Sequence, residues 1–135
     1  MTLKPWPLRL LPGDDLRGAL EAAVAAQGCT AAFVLAGIGS LAQTRLRLAG
    51  VEAPQVLDGD VEILTLSGSV AANGVHLHMS VADADGRVLG GHVAPGCLVR
   101  TTAELLLALL PDEHFTRDLD PATGYAELVA RRAGP

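Results

Sequence analysis

Between Val61 and Val93 three strand-like runs are divided by Asn73-Gly74 and by Asp83-Ala84-Asp85-Gly86. Both dividers are of the kind that closes a β-hairpin. No other stretch constrains the chain so strongly, because an antiparallel meander has two faces that parity assigns: side chains alternate strictly along each strand. With Asn73 and Gly74 as a two-residue turn, Ala72 faces Val75, Val70 faces Leu77, Gly68 faces Met79 and Leu66 faces Val81. One face is then apolar. The other carries Thr65, Ser67, Ser69, His76, His78 and Ser80.

The second hairpin has two candidate registers, and only one keeps the faces unmixed. A two-residue turn at Asp85-Gly86 sets His92 opposite Met79 and drives a histidine into the apolar face. A three-residue loop of Ala84, Asp85 and Gly86, with Gly86 in the left-handed conformation, instead sets Leu77 against Val93 and Val81 against Leu89. That register brings His92 directly across from His78, on the face that holds His76. Three imidazoles from two adjacent strands therefore converge.

His76-x-His78 supplies two ligands on one face of a strand, and His92 completes a facial set for Zn²⁺ or another divalent ion. A fourth coordination position stays open for a water or for an external carboxylate. The competing reading is a polar sheet face of hydrogen-bonded histidines at a subunit contact. Glu62, opening a strand, and Glu104, in an otherwise apolar segment, are the candidate general bases. Pairing with Arg45, Arg47 or Arg100 is the bland alternative for both. Cys97 is either a further ligand or a buried small hydrophobe. His114, beside Asp112 and Glu113, reads as solvated in a charged loop. Gly90-Gly91 lacks the spacing of a phosphate-binding loop and reads as close backbone packing, and there is no GxSxG, P-loop or HExxH.

Elsewhere, Asp14 is placed to cap a helix with Leu16, Ala19, Leu20, Ala23 and Val24 at helical spacing, stopped by Gly28. Thr30 to Ile38 reads as a buried strand that Gly37-Ile38-Gly39-Ser40 turns tightly into a second, Ala42 to Leu48, where Arg45 and Arg47 alternate with Leu46 and Leu48. Gly50 to Asp60 reads as a polar connection. Cys97 to Leu110 stays open, since Leu and Ala favour a helix while Val99, Thr101 and Thr102 favour a strand. The tail reads as a short strand, a turn at Asp120 to Gly124 and a frayed helix through Arg132.

With 135 residues the expectation is one domain, 1–135, with a core that needs neither disulfides nor a structural metal. A formal charge of −5, one lysine (Lys4) and four aromatics (Trp6, Phe33, Phe115, Tyr125) argue against phosphate-backbone binding and base stacking. Cys29 and Cys97 lack CxxC spacing and are expected as thiols of a reducing, cytoplasmic compartment. The longest apolar runs, Ala31 to Ala36 and Leu105 to Leu110, are six residues each, far short of the roughly 20 that span a bilayer. Met1 to Pro12, broken by Pro5, Pro7 and Pro12, is not expected to be a signal peptide.

From Arg9 to about Leu128 the chain resembles the PPC (plants and prokaryotes conserved) domain in its stand-alone prokaryotic form. The resemblance rests on Gly37-Ile38-Gly39-Ser40, Glu62 to Gly68, His76-Leu77-His78, Gly90-Gly91-His92 and Thr102-Ala103-Glu104, in that order. It implies an α/β (α+β) fold of mostly antiparallel sheet with one main N-terminal helix, assembled as a homotrimer, in which Cys97 to Leu110 is a strand. It also implies a metal site at His76, His78 and His92, and the leading reading is a protein that binds a divalent ion there, zinc foremost, and serves as a small-ligand or regulatory module. A metal-dependent enzyme acting on a small carbonyl or carboxylate, and a DNA-associated protein, are the alternatives it leaves. Plant members carry basic AT-hooks, which this chain lacks. Its apolar fraction of one half, with oily residues on both faces around Ala31 to Ile38, fits surface buried between subunits.

Overall fold

A computed structural model describes residues 2–134. Its elements are β1 (Lys4–Leu10), α1 (Leu16–Ala26), β2 (Ala31–Arg47), β3 (Gln55–Leu57), β4 (Val61–Ala71), β5 (Gly74–Ala82), β6 (Val88–Val93), β7 (Leu98–Leu109), β8 (Glu113–Leu119) and β9 (Ala126–Arg132). The fold is mostly antiparallel β-sheet with one helix, as the resemblance implies. Seven strands form one sheet in the order β1-β7-β2-β4-β5-β6, with β3 on β2, and β8 and β9 form a second. The first part of β2 pairs with β4, and its end returns to β6 through Leu46–Val93 and Arg47–His92. The strands β2, β4, β5 and β6 thus close on themselves. Leu46, Ile63, Leu66, Leu77, Val81 and Val93 are all buried in the resulting core.

The meander follows the parity argument. In the second hairpin His78 lies opposite His92 and Val81 opposite Leu89, as expected. The Asp83 N–H reaches the Arg87 carbonyl at 3.0 Å and so brackets the three-residue loop, with Gly86 at φ 79°. The first hairpin differs. Its turn residues are Ala72 and Asn73, and the pairs are Val70–Val75, Gly68–Leu77 and Leu66–Met79. Moving a two-residue turn by one position shifts each pairing by two, so every side chain keeps its expected face. Leu66, Val70, Val75, Leu77, Met79 and Val81 are accordingly buried.

Three other expectations are corrected, and the proline-rich lead proves to be ordered. The strand expected to turn at Gly37-Ile38-Gly39-Ser40 runs on unbroken through Arg47, absorbing its irregularity as bulges against β7. Gly39 serves close approach there: a Cβ on it would collide with the Thr102 carbonyl oxygen. The proline-rich lead is β1, an edge strand, where Pro5 and Pro7 are tolerated because alternate residues turn their backbone nitrogens away from the ladder. The Gly50 to Asp60 connection contains β3. The C-terminal stretch is strand β9, paired with β8 from Glu113–Arg132 to Leu119–Ala126, and not a frayed helix. Its turn is where expected, with the Gly124 N–H on the Asp120 carbonyl at 2.8 Å.

The N-cap of α1 is Asp15, one residue after the expected Asp14; its carboxylate accepts the Gly18 N–H at 2.9 Å. Asp14 instead accepts the Leu11 N–H at 2.9 Å. Leu16, Leu20 and Val24 bury one face of the helix, which touches β4, β5 and β7. The segment left open between helix and strand is β7, because pairing with both β1 and β2 outweighs local preference. Among the described residues no helix is long and apolar enough to cross a membrane.

Candidate metal centre

Strand β5 presents His76 and His78 on one face, and β6 brings His92 directly opposite His78. The ring centroids lie 4.7 Å (His76–His78), 4.5 Å (His78–His92) and 5.3 Å (His76–His92) apart. One ligating atom from each lies within 4.8 Å of the other two, the one such group of three among the described residues. The Nε2 atoms of His76 and His78 are 3.0 Å apart. Two nitrogens sharing a tetrahedral Zn²⁺ at the usual bond length sit about 3.3 Å apart, so this pair is spaced for such an ion to within a few tenths of an ångström.

The surroundings decide which nitrogen each ring offers. His92 Nδ1 is 3.2 Å from the Arg47 carbonyl oxygen, which only accepts, so Nδ1 carries the proton and Nε2 keeps its lone pair. His76 is arranged the other way. Arg117 Nη2, which only donates, approaches His76 Nδ1 at 3.4 Å, leaving the proton on Nε2 to bridge towards His78. Coordination through His76 Nε2 therefore requires the other tautomer and release of Arg117. Burial, then the neighbouring His78, Arg117 and His92, hold the His76 pKa below the usual 6.5, with Glu127 opposing. Burial, then His92 and Arg47, lower that of His78. Both shifts favour the uncharged form of the ring, the form able to bind a metal.

Beside the rings lies a cleft of about 690 Å³ whose walls include Arg17, Arg47, Arg117 and Glu127. Asn73 builds one side of it. Its Oδ1 accepts the Arg117 N–H at 2.7 Å and its Nδ2 donates to the Arg117 carbonyl at 2.9 Å, locking β8 onto the β4–β5 turn. Sequence reasoning placed Asn73 only as a turn residue and missed Arg117 and Glu127 altogether. Arg117 is 41 residues from His76 and joins it through strand pairing of a separate hairpin, so no local pattern signals it.

The other candidates stand apart from this cluster. Glu62 is exposed at the start of β4, across from Ala82, and Glu104 is exposed on β7, across from Arg9. Neither lines the cleft. Arg100 pairs with Asp60 at 3.2 Å and not with either glutamate. Cys97 is fully buried, its Sγ donates to the Arg45 carbonyl at 3.2 Å, and burial pushes its thiol pKa up. His114, expected in a solvated loop, is half-buried on β8 and shares a 2.8 Å hydrogen bond with the Thr30 hydroxyl.

The sequence matches the family described as the Plants and Prokaryotes Conserved (PCC) domain over residues 1–111. It is 53% identical over 127 residues, 94% of this chain, to a Synechococcus protein named bifunctional protein GlmU. The chain spans only 20% of the length of that relative. Among solved structures, a hypothetical protein of Salmonella enterica superposes with a TM-score of 0.93 at 41% identity, covering 97% of this chain and 95% of the other. A metal-containing protein of Archaeoglobus fulgidus does so with a TM-score of 0.78 at 28% identity, over 93% of each chain. A Bacteroides thetaiotaomicron protein provisionally named as DNA-binding shares the fold at 19% identity, with a TM-score of 0.79 over 97% of this chain and 96% of the other.

Proposed function

The chain belongs to the Plants and Prokaryotes Conserved domain family, and from that premise we propose that it is a metal-binding module whose divalent ion, zinc foremost, is held by His76, His78 and His92. One observation carries the reading: three imidazoles from two paired strands present ligating atoms within 4.8 Å of one another. The Archaeoglobus relative, named as metal-containing, supports it. Held by the three histidines, an ion would supply a Lewis-acidic centre. The chain's own residues do the rest: the Arg47 carbonyl fixes the His92 tautomer, and the Asn73 clamp positions Arg117 at the cleft.

Binding is favoured over catalysis because neither Glu62 nor Glu104 reaches the cleft, whose single carboxylate is Glu127. The −5 charge weighs against direct contact with nucleic acid. The proposal includes a cytoplasmic location, which suits two free thiols. It also includes a homotrimer, supported by the exposed Phe33, Leu35, Ile38 and Leu106 on β2 and β7. A monomer in sedimentation at micromolar concentration overturns that part.

The test is elemental analysis and thermal unfolding of untagged protein. We expect one ion per chain, lost in the His76→Ala/His78→Ala variant while the fold persists. Zinc at about a hundred times its dissociation constant adds about 2.7 kcal/mol to stability, worth about 10 °C in Tm for a chain of this size. Full metal content in the double variant, or an unmoved Tm in the wild type, rejects the assignment.

A further inference from the structure

The cleft beside the histidines runs against the charge of the chain. The molecule carries a formal −5, yet three arginines and one glutamate line this space, a surplus of two positive charges. Arg17 is partly neutralised by Glu21, 3.6 Å away. Among the described residues Arg47 and Arg117 make no ion pair, although both are half-buried. A guanidinium withdrawn from water without an anionic partner is costly, and its planar fork of donors matches a carboxylate or a phosphate.

Arg117 adds a second reason. Its Nη2 donates to the Ala126 carbonyl at 3.1 Å and approaches His76 Nδ1 at 3.4 Å. Once His76 turns its Nε2 lone pair to an ion, Nδ1 is protonated and can no longer accept, so Nη2 keeps the Ala126 carbonyl but the N–H aimed at His76 is left without an acceptor beside the cleft. An ion and two unpaired guanidiniums then face a space that only Glu127 counters. The volume, about 690 Å³, lies in the range of small-molecule sites, and Val75, Pro95 and Tyr125 supply apolar wall. Arg117 and Tyr125 come from the C-terminal hairpin, outside the matched residues 1–111.

We propose that this cleft receives a small molecule bearing an oxyanion, a carboxylate or a phosphate, held by Arg47 and Arg117 beside the histidines. The inference deepens the metal reading and rests on it only for the contact with the ion; the arginine contacts stand without it.

The experiment is isothermal titration of the full chain, zinc-loaded and again after chelation, with malonate and with inorganic phosphate as probes. At least one probe is expected to bind, and the tighter of the two identifies the oxyanion class. Arg47→Gln and Arg117→Gln should each weaken it about tenfold or more while zinc content stays at the wild-type level. Arg117→Gln keeps the Asn73 clamp, whose side-chain amide grips only the main chain of residue 117, and Arg47→Gln tests the site independently from β2. Absence of binding by either probe up to about 10 mM, or wild-type affinity in both variants, overturns the proposal. Elemental analysis of the same samples separates the two ideas. Zinc uptake without probe binding sinks the oxyanion site alone, whereas arginine-dependent binding in a protein that takes up no zinc sinks the ion and keeps the site.

Discussion

Replacing Gly68 by alanine tests the strand contact that sets the histidine register. Gly68 lies on β4 opposite Leu77, the residue between His76 and His78. A Cβ there would stand 2.8 Å from Leu77 Cα and 2.9 Å from the His76 carbonyl carbon, and would overlap the His76 carbonyl oxygen. Ordinary contact begins at 3.4 Å, so β4 and β5 must part by roughly half an ångström or more at a point held on both sides by ladder bonds. The φ of 150° adds about 1–3 kcal/mol for an L side chain. A stretched hydrogen bond adds about 1 kcal/mol, and the stiffer unfolded chain returns roughly 0.4–1 kcal/mol. The net loss is about 1–3.6 kcal/mol. At about 2.1 cal/mol/K per residue of unfolding entropy, that lowers Tm by about 4–13 °C. Gly86→Ala is the control, since its φ is 79° but nothing lies within 4 Å of the added Cβ; it should cost only about 1 kcal/mol. Urea and thermal unfolding of both variants decide the matter. If Gly68→Ala is no less stable than Gly86→Ala, the collision is not real, and the reasoning that ties Gly68 to the placement of His76 fails with it.

Two further outcomes follow from burial. In metal-free protein, His76 and His78 have folded pKa values below 6.5, so the unfolded chain binds more protons and stability rises with pH. Their contribution is complete above 6.5 and is lost as the pH falls through that value and below. The urea midpoint should therefore drop between about pH 7.5 and 5.5, and His76→Ala/His78→Ala should flatten the change. A midpoint that climbs on acidification across this window contradicts the burial argument. Cys97, fully buried with its thiol pKa raised, should resist iodoacetamide at about pH 8 in the native protein and react on denaturation. Equal labelling rates in the two states, read by mass spectrometry, would show that the turn ahead of β7 opens freely at Cys97.

The histidine cluster was legible because it depends on parity, and parity survives errors in detail. The first hairpin turn falls one residue before Asn73-Gly74, which moves the partner of Val70 from Leu77 to Val75, yet both partners lie on the same face and His76 keeps its expected place. The second register was decided by where His92 could go, and the alternative failed for a physical reason, a polar ring in the apolar face. Local signals misled where tertiary pairing overruled them. Gly37-Ile38-Gly39-Ser40 has the composition of a turn, but Gly39 is needed for close approach to Thr102, so an unbroken strand passes through it. The helical look of Leu98–Leu109 yielded to partners on both sides. Arg117 is beyond reach for a different reason: it meets His76 through contacts distant in sequence, Asn73 gripping its backbone from the β4–β5 turn while the Ala72 N–H holds the Phe115 carbonyl. The same turn that positions His76 therefore also positions the cation facing it. A change in ring tautomer at His76 is felt directly at Arg117, so an ion bound by the histidines would be coupled to an anion bound by the arginines.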